Sequence, residues 1–401
     1  MNEKKTDRLH LKAPGCWIND PNGFIFYRGQ YHLFYQCFPY GNSWGRMHWG
    51  HAVSSDLVSW EHLPIAVFPS KSFDRSGCFS GSAIEHDGKL LLFYTGVNYL
   101  HEDPENTNLY LNVPDAFEAS QVLISSEDGF LFDNIKDKRE IIKPIEDKSI
   151  GSRQHTRDPK VWRDGESFYM LLGTQVEGAG ALMLYRSSDL VNWEYLNTTK
   201  GDGTAYMWEC PDHISLGGES FLILCVQTEE ESLPYYVKAS LDKDSGLFDL
   251  GEEYVRLDLG PDMYATQTTL DEEGRLVLIG WMRNSFPEGG GAGMMTIPRV
   301  LENRGGKLYM RPHPNIEKNF VNSDDAYKSR ILLRDGKSFR TGGVKVSREG
   351  ETVLFECAGE VYKTGPVKDG YDVMVFAEKG IVEIFINDGE YVFSKSLADP
   401  E

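Results

Sequence analysis

Asp20, Asp158 and Glu209 are the residues of this sequence whose type and setting best suit catalysis. They stand in WINDPNG, TRDPK and MWECPD, each with a tryptophan close by in the chain (Trp17, Trp162 and Trp208). Paired carboxylates can serve a glycosidic bond as nucleophile and as proton donor, and indole faces stack on sugar rings. A lone Asp-Pro is more often a turn than a site, Arg157 and Asp158 can form a local ion pair, and Glu209 can lie on a rim. The three carboxylates, however, open units that recur along the chain at the same phase. Charges of one sign gathered in a cleft need a cation or a bound proton to be stable, and function is the usual reason for such an arrangement.

The recurring units are plain in the sequence. SSDLVSWEHL at 54–63 returns as SSDLVNWEYL at 187–196, with a looser copy, SSEDGFLFDN, at 125–134 and another starting at Ala239. Five segments, opening at Asp20, Ser80, Asp158, Glu209 and Gln267, each run from a polar start through an apolar strand and a glycine-containing turn into a second strand. That is a hairpin pattern, and helical periodicity is nearly absent. A polar stretch, 99–120, lengthens the second unit. Five such units predict an all-β fold, a five-bladed β-propeller over residues 1–312. The first strand of each blade lines the central channel, so the five openings converge there. RPHPNIEKNF at 311–320 reads as a connector. The short alternating runs after it predict a C-terminal β-sandwich within 313–401.

Composition excludes several function classes. The 401 residues carry 61 Asp and Glu against 41 Lys and Arg, a formal charge of −20 that repels nucleic acid and anionic membranes. No apolar run approaches the length of a membrane span, and MNEKKTDRLH lacks the apolar core of a secretory signal. The six cysteines are scattered, without a CxxC pair or a disulfide framework. A cytoplasmic protein is therefore expected. His48 and His51 have no cysteine or carboxylate neighbours at zinc-ligand spacing, so neither a metal nor a cofactor is expected.

Taken together, WINDPNG (17–23), FYQ (34–36), WGRMHWGHA (44–52), SSDLVSWEHLPIA (54–66), GCFSGSA (77–83), RDPKVW (157–162), MWECPD (207–212) and GRLVLIGWM (274–282) give the chain a resemblance to glycoside hydrolase family 32. That group holds invertases, sucrose-6-phosphate hydrolases and fructanases. The resemblance implies a propeller followed by a β-sandwich, and a retaining hydrolase of terminal β-D-fructofuranosyl units on sucrose or sucrose 6-phosphate. It implies Asp20 as nucleophile, Glu209 as general acid/base, and Asp158 as the residue that binds fructose hydroxyls and stabilises the transition state. Trp17, Ile18, Asn19, Gln36, Trp44, Phe79, Ser80 and Arg157 match positions lining the fructose subsite of relatives. Arg157 is expected to keep Asp158 ionised.

Two residues depart from the family pattern on the leaving-group side. Phe38 stands where relatives commonly carry Asn, and Arg46 where many have a small residue or Pro. Arg46 can pair with a surface carboxylate or grip the phosphate of a phosphorylated sugar. The alternatives are an exo-fructanase on short inulin- or levan-type chains and a non-catalytic sugar-binding propeller. The expected partner is a small saccharide, with no nucleic acid and no membrane. The sandwich, short for the family, is expected to lean on the propeller or on a second subunit as a homo-oligomer.

Overall fold

The repeated SSDL segments are turns in which side chains stand in for missing backbone partners. Ser54 Oγ accepts from Leu57 N at 2.8 Å, while Asp56 Oδ1 accepts from Val58 N and Ser59 N. Ser187 and Asp189 repeat the arrangement, as do Ser126 and Asp128. The residue at the bend has left-handed φ: 61° at Leu57, 65° at Leu190 and 83° at Gly129. Each of these turns leads to the outermost part of its sheet, and the motif recurs in this form in the first three sheets.

The computed structural model describes residues 6–287, 290–367 and 371–397; the outermost residues of the two expected domains, 1–5 and 398–401, lie outside these. The chain is all β, and its single helix among the described residues is Pro314–Asn319, inside the segment read as a connector. His313 caps that helix by accepting from Asn315 N, and Pro314 fits its first turn, where no backbone donor is required. No helix among the described residues is long and apolar enough to cross a membrane.

The described residues form seven antiparallel sheets, numbered by their first strand; the seventh, 338–363, is inserted between the first two strands of the sixth. The first five each have an edge strand that holds one of the polar openings: Trp17–Tyr27, Gly77–His86, Arg157–Asp164, Met207–Leu216 and Met263–Leu270. Hydrogen bonds link these edge strands in order. Gly81 N donates to Asn22 Oδ1, Ser82 Oγ donates to the Pro159 carbonyl, and Lys160 Nζ donates to Asp212 Oδ2 at 2.8 Å. Thr268 N and Oγ1 donate to the same Asp212 oxygen, and Phe24 N donates to Gln267 Oε1, joining the fifth strand to the first. Gly81 lies where a Cβ would come 1.9 Å from the Phe93 carbonyl oxygen, so this approach requires glycine.

The last two sheets face each other. Val346 and Phe355 of one pack against Val375, Ile384 and Phe393 of the other. Side chains alternate between faces along a strand, so Phe376 and Phe385 point the opposite way. There they meet Leu301 and Met310 of the fifth sheet, and Ile297 just before its strand Arg299–Arg304. The sixth sheet is thus covered on both sides, and a buried ionic cluster pins it. Arg299, fully buried, reaches Asp258 at 2.9 Å and Glu383 at 2.6 Å, and Glu383 also bonds His10 Nε2. Burial opposes a charge on His10, but Glu378 and Glu383 on its two nitrogens outweigh that and raise its pKa.

Removing the guanidinium should be costly. Arg299→Met leaves two buried carboxylates without their cation, and stability should fall by about 3–5 kcal/mol, read from urea unfolding at constant pH.

Candidate active site

One backbone irregularity recurs at the open end of all five edge strands, and it carries the candidate residues. In each, two residues oppose a single residue of the neighbouring strand: Asn19 and Asp20, Phe79 and Ser80, Asp158 and Pro159, Cys210 and Pro211, Ala265 and Thr266. Such β-bulges re-aim side chains and break the in–out alternation. Asp158, Cys210 and Ala265 take left-handed φ of 64°, 47° and 48°, a conformation that costs energy and tends to collect at functional sites. With the bulges aligned, Asp20 is the second bulge residue, Asp158 the first, and Glu209 the residue before. The three carboxylates therefore do not share one phase of the repeat, as the sequence suggests. The bulges turn three successive positions towards one place.

That place is a pocket of about 270 Å³ lined by all three carboxylates. A chain of hydrogen bonds with a fixed direction ends on Asp20. The Trp17 indole can only donate, and it does so to Asn19 Oδ1 at 2.9 Å. The Asn19 amide nitrogen must then face Asp20 Oδ1 (3.0 Å) and Gln36 Oε1 (3.2 Å). Gln36 Nε2 donates to Ser80 Oγ, which leaves the Ser80 proton for Asp20 Oδ2. Burial raises the pKa of Asp20, as does Glu209, while Ser80 and Asn19 oppose the rise.

Glu209 is also met only by donors. Arg157 Nη2 lies 2.7 Å from Oε1, and Tyr264 Oη and Gln227 Nε2 each lie 2.5 Å from Oε2. Arg157 was expected to serve Asp158. Its Nε is 3.9 Å from Asp158 Oδ2, and its hydrogen bond goes to Glu209. Burial dominates at Asp158: Arg157 offsets part of it, Glu209 and Asp20 add to it, and the pKa is pushed up to about 7. Asp158 is thus not held firmly ionised. Its Oδ2 accepts from Cys210 N at 2.9 Å, tying the third bulge to the fourth.

The sequence candidates do not all meet here. Trp17, Asn19, Gln36, Trp44, Phe79, Ser80 and Arg157 line the pocket with the carboxylates. Ile18 does not: its side chain points away from the bulge into a core with Phe24, Leu33 and Ile279. Trp208 is buried against Leu222 and Leu224, and Trp162 stacks on Tyr169, so of the three tryptophans near the carboxylates only Trp17 reaches the pocket. Gln267 sits below, bridging Phe24 N and the Gly81 carbonyl. Phe38 is buried over Gly45. Arg46 is committed to the polar insertion: Nη2 meets Glu102 Oε1 at 2.9 Å, and Nε and Nη2 donate to the Thr107 carbonyl. It makes the carboxylate pair.

The pocket also contains residues the sequence reading missed. Tyr110 comes from that insertion and sets its ring edge-on to Trp44 at 6.1 Å. Phe117, Trp281 and Tyr264 complete the aromatic walls. His155 accepts from Arg157 Nη1 on Nδ1 (3.3 Å), so its proton sits on Nε2; burial, helped by Arg157, lowers its pKa to about 4. Tyr264 and Trp281 were within reach of the sequence, because Tyr264 occupies in its unit the place of Glu209, and Trp281 faces it across the hairpin. Tyr110 carried no such signal.

The signature described as "Glycosyl hydrolases family 32 N-terminal domain" matches residues 10–312. The chain belongs to this family. A sucrose-6-phosphate hydrolase of Zymomonas mobilis is 37% identical to this family 32 chain over 360 residues, covering 82% of this chain and 65% of that protein. The chain thus spans 65% of the length of that relative. One from Escherichia coli is 33% identical across 97% of this chain and 88% of its own. Among solved structures, a Bombyx mori family 32 β-fructofuranosidase superimposes with TM-score 0.81 at 31% identity, covering 98% of this chain and 89% of that one. A sucrose-6-phosphate hydrolase of Lactobacillus gasseri gives 0.83 at 25%, covering 97% and 88%.

In this family 32 site Ser80 lowers the Asp20 pKa, so Ser80→Ala should move it further up. A carboxyl 13C NMR titration should show the Asp20 midpoint at higher pH than in the wild type, with Asp158 still titrating near 7.

Proposed function

We propose that this chain is a β-fructofuranosidase that removes the terminal non-reducing β-D-fructofuranosyl unit of sucrose or sucrose 6-phosphate with retention. The observation that carries the reading is the unlike environment of two carboxylates in one pocket. Asp20 sits at the end of the Trp17–Asn19–Gln36–Ser80 relay, held as an acceptor. Glu209 lies against Arg157, Tyr264 and Gln227. The relatives named above, with their printed activities, support the same reading. The five linked sheets are read as five propeller blades ending near residue 312, and the last two as a sandwich within 313–401. No disulfide joins the six cysteines among the described residues, which fits a reducing compartment such as the cytoplasm.

In this mechanism Asp20 attacks C2 of the fructosyl unit. The C2–O bond to the leaving sugar breaks as Glu209 gives that oxygen its proton. A fructosyl ester on Asp20 results. Glu209, now ionised, takes a proton from water, which attacks C2 and frees Asp20. The donors around Glu209 stabilise the charge it carries between the steps. Asp158, with a pKa near 7, is placed to hold fructose hydroxyls as donor or acceptor. The aromatic walls from Trp44 and Tyr110 face the departing sugar. With Arg46 engaged by Glu102, the phosphate grip considered for that residue is not part of this reading.

The test is release of glucose and fructose from sucrose, run beside sucrose 6-phosphate, with the first-formed fructose anomer read by NMR. Glu209→Gln and Asp20→Asn should each fold normally and lose about 10²–10⁴-fold or more in kcat. A Glu209→Gln protein with more than about a tenth of wild-type rate, or fructose released with inversion, would overturn the assignment.

A further inference from the structure

The pocket wall that holds Glu209 is one hairpin of the fifth sheet, and its open end is gripped by the last strand of the sixth. Tyr264 pairs with Trp281, and Met263 with Met282, one step nearer the open end. The next pair is Asp262 and Arg283, joined by Arg283 N donating to the Asp262 carbonyl at 2.8 Å. The strand Tyr391–Ser396 closes on this pair. Lys395 Nζ reaches Asp262 Oδ2 at 2.7 Å, Ser396 N donates to the same oxygen at 2.9 Å, and Ser396 Oγ donates to the Arg283 carbonyl at 2.6 Å. Asp262 is buried, so these bonds lie in a setting where directed contacts hold position well.

Arg283 carries the grip inward. Its Nη2 donates to the carbonyls of Pro261 (2.6 Å) and Ser232 (2.8 Å), and its guanidinium carbon lies 4.7 Å from the centre of the Tyr264 ring. A cation over a phenol face fixes the ring and draws electron density from the hydroxyl, making it a stronger donor. That hydroxyl donates to Glu209 Oε2. An unbroken run of contacts, two residues deep into the hairpin, therefore joins a strand of the C-terminal sheet to the carboxylate.

We infer that Lys395 and Ser396 are positioning residues for Glu209, acting through Asp262, Arg283 and Tyr264. The inference rests on Glu209 being the acid/base group. The C-terminal sheet then does more than cover the apolar face of the fifth sheet: it sets the donor that holds the Glu209 carboxyl in place. Loosening Tyr264 should let that carboxyl drift from the oxygen it serves, and a small misplacement of a reacting group is costly in rate. The loss should fall on kcat, since Tyr264 is argued to act on the carboxyl rather than on binding.

The test compares Lys395→Met/Ser396→Ala with wild type, Tyr264→Phe and the combination of all three, on sucrose. The double variant should lose roughly 10-fold in kcat with KM nearly unchanged, as Tyr264→Phe should. Adding Tyr264→Phe should change little further, since both act through one bond. Glu378→Gln, which loosens the same sheet at His10 and Lys12 without touching Asp262 or Arg283, should lower Tm and leave kcat in place. Should the double variant fail to fold, Ser396→Ala alone should give a smaller loss of kcat, again with KM unchanged. A wild-type kcat in the clamp variants, whatever their Tm, or full additivity with Tyr264→Phe, overturns the inference while the acid/base reading stands. If Glu209→Gln itself retains its rate, that reading fails and the inference goes with it.

Discussion

Asp20, Asp158 and Glu209 bring three carboxylates to one half-enclosed pocket, where a single guanidinium, that of Arg157, answers them directly, and most of the surrounding polar arrangement follows from that shortage of positive charge. Arg157 spends its close contact on Glu209 and stands off from Asp158. Asp158, left with a backbone donor and a burial penalty, is displaced to a pKa about 7. Among the described residues no cation lies within hydrogen-bond reach of Asp20. Its charge relies on Asn19 and Ser80, whose orientations trace back to an indole that can only donate. Neutral donors in a fixed direction thus do what a second cation would otherwise do.

Delivering those groups to one spot is a backbone problem. Five sheets meet along their edge strands, and a regular strand would send neighbouring side chains to opposite faces. The bulge in each edge strand suspends that rule for two residues, which is why groups from three different positions of the repeat share the pocket. The same bulge turns Ile18 into the core beside a residue, Asn19, that faces the site. Left-handed backbone at Asp158, Cys210 and Ala265 is the local cost of that geometry.

The sixth sheet is bound up with the same hairpin. Its two faces are both covered, by the seventh sheet and by the fifth, and the buried Arg299–Glu383–Asp258 cluster fixes its register against the fifth. An ionic cluster in such a place contributes more to specifying one arrangement than to raw stability, because removing two charges from water offsets much of their attraction. A small sheet held in one register can then present Lys395 and Ser396 to the end of a pocket-forming hairpin at hydrogen-bond distance.

The sequence alone determined the units and their punctuation. The polar openings, the Ser–Asp turns and the glycines required by close approach are local properties, legible because each residue type answers a need of its own backbone. It also singled out Asp20, Asp158 and Glu209, since carboxylates at the openings of three of the five units stand out. Only the tertiary structure decided which neighbours serve them. Trp162 and Trp208 sit beside two of the carboxylates in the chain yet belong to cores, whereas Tyr264, Gln227 and Tyr110 come from other segments. Arg157 adjoins Asp158 in sequence and pairs with Glu209 in space; Arg46 is taken by Glu102, far from it in the chain. A one-residue shift in a strand reverses the face a side chain takes, and a bulge is such a shift, set by how one strand meets its neighbour rather than by the residues of either. Charge pairing across sheets depends in the same way on which segments the fold brings together.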